Sequence, residues 1–315
     1  MIVILFYRKN RTINYVLEIL LAIFCIQSLI QVFAFFSPTV LQFVQFFQSS
    51  STVERAELFS GRRGLALSGT VFFGLASIYG LIFFIFFKDI IIKKQFNLKE
   101  ILIFLILVVG GFFTGRTYFI GLGIALMYFV SSNIPSKIKI KFFVRIIIFI
   151  GVLIIILLGI IPQDIYDKLN NLFLYVFEAA YNFINTGHAS TTSSEHLLDD
   201  MYFPISLKTF FLGDGRYTGL SGEYYMSTDA GYMRNILLFG IGGLILTIYF
   251  DYKLFWGYKR LRKKDLSKFS SFIFIYLAII HIKGEVFAYL ITLHSILFII
   301  YFFIMITGKK TFYHS

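Results

Sequence analysis

Long apolar runs broken by short polar segments dominate the chain. Eight of them have the composition of membrane helices: residues 13–36, 66–87, 101–113, 118–130, 142–161, 236–256, 269–282 and 286–307. A bilayer crossing needs ~20 predominantly apolar residues. None of the runs alternates apolar and polar positions as a barrel strand would. The pattern predicts an all-α polytopic membrane helix bundle of about eight spans. The third and fourth runs are short. Joined, they would make one helix of roughly 30 residues, ~45 Å long and too long for a single crossing, so they read as a hairpin with Arg116 at its tip. Lys283-Gly284-Glu285 is a very tight turn between the last two runs. Loop 37–65 precedes the second span, and 162–235 is the one long hydrophilic stretch. Within it, Ile165, Leu169, Leu172, Val176, Ala180 and Ile184 fall on one helical face. Such a helix suits either the membrane interface or packing on the bundle.

Composition agrees with this pattern. Of 315 residues, 58% are hydrophobic and 15% charged, too apolar for a soluble chain of this length. We read residues 1–315 as a single integral domain with 162–235 as a loop inside it. Met1 to Tyr7 is apolar but too short to span, and Arg8, Lys9 and Arg11 follow it, so it is no cleavable signal. It reads as the remnant of an earlier helix. Cys25 is the single cysteine, which leaves neither a disulfide framework nor a cysteine metal site.

The net charge of +12 changes the picture through its distribution. With the N-terminus inside, the inner segments collect 20 of the 29 Lys and Arg, in clusters such as Lys93/Lys94 and Lys137/Lys139/Lys141. That is the positive-inside bias. It predicts a multi-pass protein of the cell (inner) membrane with both termini cytoplasmic. The basic clusters are short loops without aromatic interleaving, so nucleic acid is not the expected partner, whereas anionic membrane lipid is.

The nine outer basic residues include six arginines: Arg55, Arg62, Arg63, Arg116, Arg216 and Arg234. Arginine is the planar, permanently charged donor suited to phosphate. Nine of the 17 acids lie in 162–235. The segment 213–243, GDGRYTGLSGEYYMSTDAGYMRNILLFGIGG, begins polar and runs without a break into an apolar helix. Charge is thereby placed at a helix mouth, where a functional site is the default reading. Plainer readings stand beside it. Arg62, Arg63 and Arg234 also suit interfacial snorkelling. Asp229 suits an N-cap. His188 and His196 have no metal-ligand spacing. His281 and His294 read as hydrogen-bonded core residues, and Lys283 and Glu285 as a pair. No P-loop, nucleotide-binding glycine fingerprint, HExxH or Gly-x-Ser-x-Gly motif is present, so neither cofactor nor metal is expected.

Four motifs occur in order: Arg62-Arg63-Gly64-Leu65, Gly115-Arg116-Thr117, Gly213 to Tyr217, and Asp229 through Gly243. Together they resemble the O-antigen and capsular polysaccharide polymerases (Wzy type) of the O-antigen polymerase–ligase superfamily. Lys283-Gly284-Glu285 resembles a late feature of some members. The resemblance implies a metal-independent membrane glycosyltransferase that joins oligosaccharide repeat units carried on undecaprenyl diphosphate at the outer face. A chain-length regulator and a flippase are the implied partners. The family usually shows ten to twelve spans, which leaves room for more before Met1. Where ligases often carry a His-Asn pair, this chain has Asp229-Ala230, which favours polymerase over ligase. A flippase of lipid-linked oligosaccharide is the non-enzymatic alternative. On this reading Arg62, Arg63, Arg116, Arg216 and Arg234 bind the diphosphate. Asp229 is the first choice of base, with His196 and Glu285 behind it. All are expected to line one outward-opening pocket.

Overall fold

A computed structural model describes residues 12–58, 63–68, 70, 72–160, 163–188, 190–220, 222–256, 264–287 and 289–310. Among these the chain is helical throughout, with one isolated β-bridge, Thr218 to Tyr224. It divides into two compact units, 1–176 and 177–315, with the boundary inside the hydrophilic stretch.

The first unit is built on α4 (Phe72–Lys93). Its apolar stretch is 89% buried, against 28% for α1 (Ile13–Phe36), so α4 is the axis and α1 a flank. α1 has the boundaries of the first apolar run. The polar segment after it is more ordered than a loop. Ser37 caps α2 (Pro38–Phe46), with Pro38 in the first turn where its missing N–H costs nothing. Ser49 caps α3 (Ser50–Glu57). α4 starts at Phe72, six residues later than hydrophobicity predicts. Leu65 and Ala66 are buried, but Gln48 takes their neighbourhood out of the helix, its Nε2 donating to the carbonyls of Gly64 (2.7 Å) and Ala66 (3.0 Å). Gly64 has φ +78°, and a Cβ there would lie 2.6 Å from that of Ala56. Gly64 is therefore held between α3 and the Gln48 amide.

α5 (Leu98–Phe112) and α6 (Thr117–Ser131) are joined by the short turn expected at Arg116, but each packs on α4 rather than along the other. Phe112 meets Phe119 near the turn (6.1 Å), and Phe104 and Phe129 both meet Phe87 far from it (6.2 and 4.8 Å). The helices are thus antiparallel. α7 (Ser136–Ile160) starts six residues before the apolar run, carrying Lys137, Lys139 and Lys141 on its first turns. α8 (Gln163–Val176) ends the unit. Of the amphipathic face, Leu172 and Val176 pack into a core with Leu65 and Phe113, which favours the bundle reading for this half. The helix stops at Val176, and Ala180 and Ile184 belong to the next one, where both are exposed.

The second unit opens with short helices α9 (Glu178–Thr186), α10 (Thr192–Asp199) and α11 (Leu207–Leu212). α12 (Gly231–Trp256), α13 (Lys264–His281) and α14 (Ile291–Lys310) follow. α12 is not the continuous helix its apolarity predicts. Gly240 breaks it at φ +67°, ψ −177°. A side chain there would strike the Phe211 carbonyl oxygen at 2.3 Å, and one at Gly213 (φ +73°) would meet Leu238 O and Gly240 N at 2.7 Å. Two glycines thus let the segment after α11 press against the broken helix, backbone on backbone. Asp214 N–H donates to the Leu237 carbonyl at 2.6 Å. Interrupted backbone at membrane depth is tolerated when protein satisfies its polar groups in this way. α14 starts five residues after its apolar run because the N–H groups of Val286 and Phe287 donate to His281 Nδ1 (2.9 and 3.3 Å), holding them in a turn.

Among the described residues, three helices are long and apolar enough to cross a membrane: Ile13–Phe36, Phe72–Lys93 and Gly231–Phe255. Thr117–Ser131, Leu266–His281 and Ile291–Ile304 are shorter apolar helices.

Candidate functional site

The first unit brings Arg63 and Arg116 together. Leu65 and Phe113, two residues after the one and three before the other, share a buried core with Leu172 and Val176. That core draws Leu65, the turn between α5 and α6, and α8 to one place. The Arg63 Cζ lies 5.0 Å and the Arg116 Cζ 4.7 Å from the centre of the Tyr175 ring. Gly115, at φ +137°, leaves room for this: a Cβ there would lie 3.2 Å from an Arg63 nitrogen. Both arginines are half-buried. Burial first, and then the charge of Arg116, lowers the Arg63 guanidinium to about 10. Burial and the neighbouring cation both weigh against the charged form of Arg63, and a bound anion would favour it. Arg62 lies outside the described residues.

The second unit gathers the other candidates. Arg234 is buried, with its side chain 6% exposed, and lies between the rings of Tyr217 and Tyr224 at 4.1 and 3.8 Å. Its Nε meets Glu285 Oε2 at 3.1 Å. Tyr217 OH donates to the same oxygen at 2.6 Å, and Asn235 Nδ2 donates to Oε1 at 2.9 Å. A buried guanidinium is stable here because an opposite charge and two π faces replace water. The expected pairing of Glu285 with Lys283 is corrected: Glu285 holds Arg234, and Lys283 Nζ donates to Ser193 Oγ at 2.9 Å. With both oxygens engaged, Glu285 acts as a positioning residue in this arrangement. Burial raises its carboxyl above the usual range, against the pull of Tyr217, Arg234 and Asn235. Snorkelling is likewise corrected for Arg234, which points into protein.

Arg234 Nη2 is buried without a hydrogen-bond partner among the described residues. It borders a crevice, too narrow to admit a water, shared with Arg216, Tyr217, Tyr225 and Leu237. Arg216 is exposed, 5.9 Å from the Tyr225 ring centre. This crevice is too tight for a diphosphate until the tyrosines move. Asp214 is held by Thr209 Oγ1 at 2.9 Å and Tyr225 OH at 3.3 Å.

Asp229 stands at the entrance to α12. Ala230, rather than Asp229, occupies the N-cap position, and the Thr228 hydroxyl accepts from Ala230 N–H at 3.3 Å. The Asp229 side chain remains open to solvent, yet surrounding protein strips enough water to raise its carboxyl above the usual aspartate range. Lys283, Arg234 and His196 oppose that rise, which places all three near it. Gly231 makes the entrance possible: a Cβ there would lie 2.4 Å from His281 O and 2.6 Å from Gly284 O. His196 is exposed and paired with Asp200 one turn along α10. His188 is exposed too. His281 and His294 are the hydrogen-bonded core residues expected, His294 Nε2 lying 2.9 Å from Asp251 Oδ2.

Tyr175, Tyr217, Tyr224 and Asn235 were not singled out by sequence. Tyr217 and Asn235 adjoin arginines already named, which is a usable signal. Tyr175 carries none, because a tyrosine between two buried apolar positions of an amphipathic helix reads as filler.

No protein-family model matches the chain, and neither does any curated protein or solved structure.

Proposed function

We propose that the protein is a membrane glycosyltransferase of the polysaccharide-polymerase type, taking oligosaccharide repeat units on undecaprenyl diphosphate as substrate. The observation that carries this reading is the pair Arg63 and Arg116 on the Tyr175 ring. A lipid diphosphate is a polyanion whose tail lies in hydrocarbon. Paired guanidiniums at the ends of apolar helices match it in charge, and their planar forks match its oxygens.

In the proposed reaction an acceptor sugar hydroxyl attacks the anomeric carbon of the donor. The new glycosidic C–O bond forms as the bond to the diphosphate breaks, and the polyprenyl diphosphate leaves with the electron pair. The hydroxyl proton passes to a base. Asp229 takes this role, since its raised carboxyl is a better proton acceptor than an ordinary aspartate. Arg63 and Arg116 stabilise the leaving diphosphate where charge develops. The donor face is the one opposite the basic loops, by charge bias.

A second reading is a flippase for the same substrate. The break in α12 at Gly240 favours it, because interrupted helices build transport sites. Purified protein in liposomes with lipid-linked repeat units alone separates these readings. A ladder of longer glycans is expected. Translocation without bond formation would replace the polymerase by the flippase, and product only after a lipid A core is added would make the protein a ligase.

A further inference from the structure

A groove in the first unit lies away from the arginine pair, at the opposite end of α5. Its walls are the first turn of α5, with Leu98 and Ile101, and the middle of α7, with Ile148, Phe149 and Val152. It is open-sided, with a volume of about 420 Å³. Arg145 lines one end. One of its N–H groups donates to Phe96 O at 2.7 Å, anchoring the guanidinium beside the start of α5. A guanidinium has five such donors. Lys141 is exposed one turn earlier on α7, on the same side as Arg145. Glu100, on the first turn of α5, is buried, and its carboxylate accepts from Asn97 N–H at 2.8 Å. From Arg145 to Val152 the groove runs ~10 Å along α7, and its walls there are apolar. Exposed Ile140, Val144 and Ile147 continue the apolar surface of α7 beside it.

We propose that this groove binds an anionic phospholipid of the surrounding bilayer. The phosphate sits at Arg145 and Lys141, and one acyl chain lies along Ile148, Val152, Leu98 and Ile101. Charge complementarity selects the headgroup, because the cations stand at the mouth. The apolar channel selects a lipid over a free anion, since it offers nothing to phosphate. The site belongs to the end of the bundle that carries Lys93, Lys94 and the basic start of α7, and it stands apart from the proposed chemistry.

The test uses the full chain purified in a neutral detergent. Phosphatidylglycerol and phosphatidylcholine of matched acyl chains are titrated, and bound lipid is counted by native mass spectrometry. One phosphatidylglycerol is expected to bind selectively, with preference of about fivefold for each cation engaged. Arg145→Leu should cut the preference about fivefold, leaving the share of Lys141. Because that change also removes the bond to Phe96, Ile148→Trp serves as a second variant that fills the channel and leaves Arg145 in place. It should weaken both lipids. Unfolding in detergent alone checks that each variant folds. Equal binding of the two lipids, an undiminished preference in Arg145→Leu, unchanged binding in Ile148→Trp, or competition by inorganic phosphate as effective as by lipid would each overturn the proposal.

Discussion

The two units treat a buried arginine in opposite ways. In the second, Arg234 is matched by Glu285, enclosed by two tyrosine rings and fixed through a carboxylate that also binds Tyr217 and Asn235. In the first, Arg63 and Arg116 share one ring, and the charge of Arg116 adds to the cost that burial puts on the charge of Arg63. An ion pair of the first kind sets geometry and stabilises the fold once formed. A pair of cations held together is costly to the fold and favourable to an incoming anion. The difference teaches that arginine at a helix mouth does not by itself mean substrate. What matters is which groups packing sets beside it.

Breaking the Arg234 pair should have the largest effect on folding. Glu285→Ala strands a buried charge and should cost ~3–5 kcal/mol of stability, read as a fall in melting temperature or loss of the monodisperse peak. Arg234→Met combined with Glu285→Leu should recover most of that loss, as apolar replacements of buried pairs do. A double variant no more stable than Glu285→Ala would show that the two side chains are not a unit.

The first unit should respond in the reverse sense. Arg116→Lys keeps the charge and loses the planar fork, so stability should hold while polymer synthesis in liposomes drops ~100-fold, equivalent to ~2.7 kcal/mol of lost anion stabilisation. Wild-type chain lengths from that variant would remove Arg116 from the diphosphate site.

Gly240→Ala tests the broken helix that supports the second unit's crevice. Its φ is positive and the Phe211 carbonyl is within 2.3 Å of the added carbon, so the change should destabilise by ~1–3 kcal/mol. Gly242→Ala, where the added carbon meets nothing within 4 Å, is the control and should be near neutral.

A pH profile gives the smallest but most specific effect. Asp229 must be ionised to accept a proton, and its carboxyl is raised. Activity should therefore be full at high pH and fall, as pH drops, through a value above that of a free aspartate. Asp229→Asn should remove this acid limb along with the rate. A limb at the ordinary aspartate value would reassign the base.

Much of the fold was legible in the chain because hydrophobic runs and caps are local. The first helix and the turn at Arg116 follow from apolarity and from short paired runs, whereas α7 begins at Ser136, inside the segment that its lysines made read as a loop. The late start of α4 was not legible, since Leu65 and Ala66 are as apolar as a helix interior. Only the amide of Gln48, 16 residues upstream of Gly64, diverts them. The break at Gly240 was equally hidden: the Phe-Gly-Ile-Gly-Gly sequence permits it, and the close approach of Gly213 requires it.

Sequence alone determined the helical class, the apolar lengths, the charge bias and the arginines worth watching, because each depends on neighbours within a turn or on counts along the chain. Tertiary structure decided what each arginine meets. Arg63 and Arg116 stand 53 positions apart in sequence, and only the shared core of Leu65, Phe113, Leu172 and Val176 brings them to one ring. Arg234 and Glu285 are 51 apart, and only the packing of Gly231 against the turn after α13 makes them partners. A charge is read from one residue, but its counter-charge is set by whichever distant segment packing places beside it.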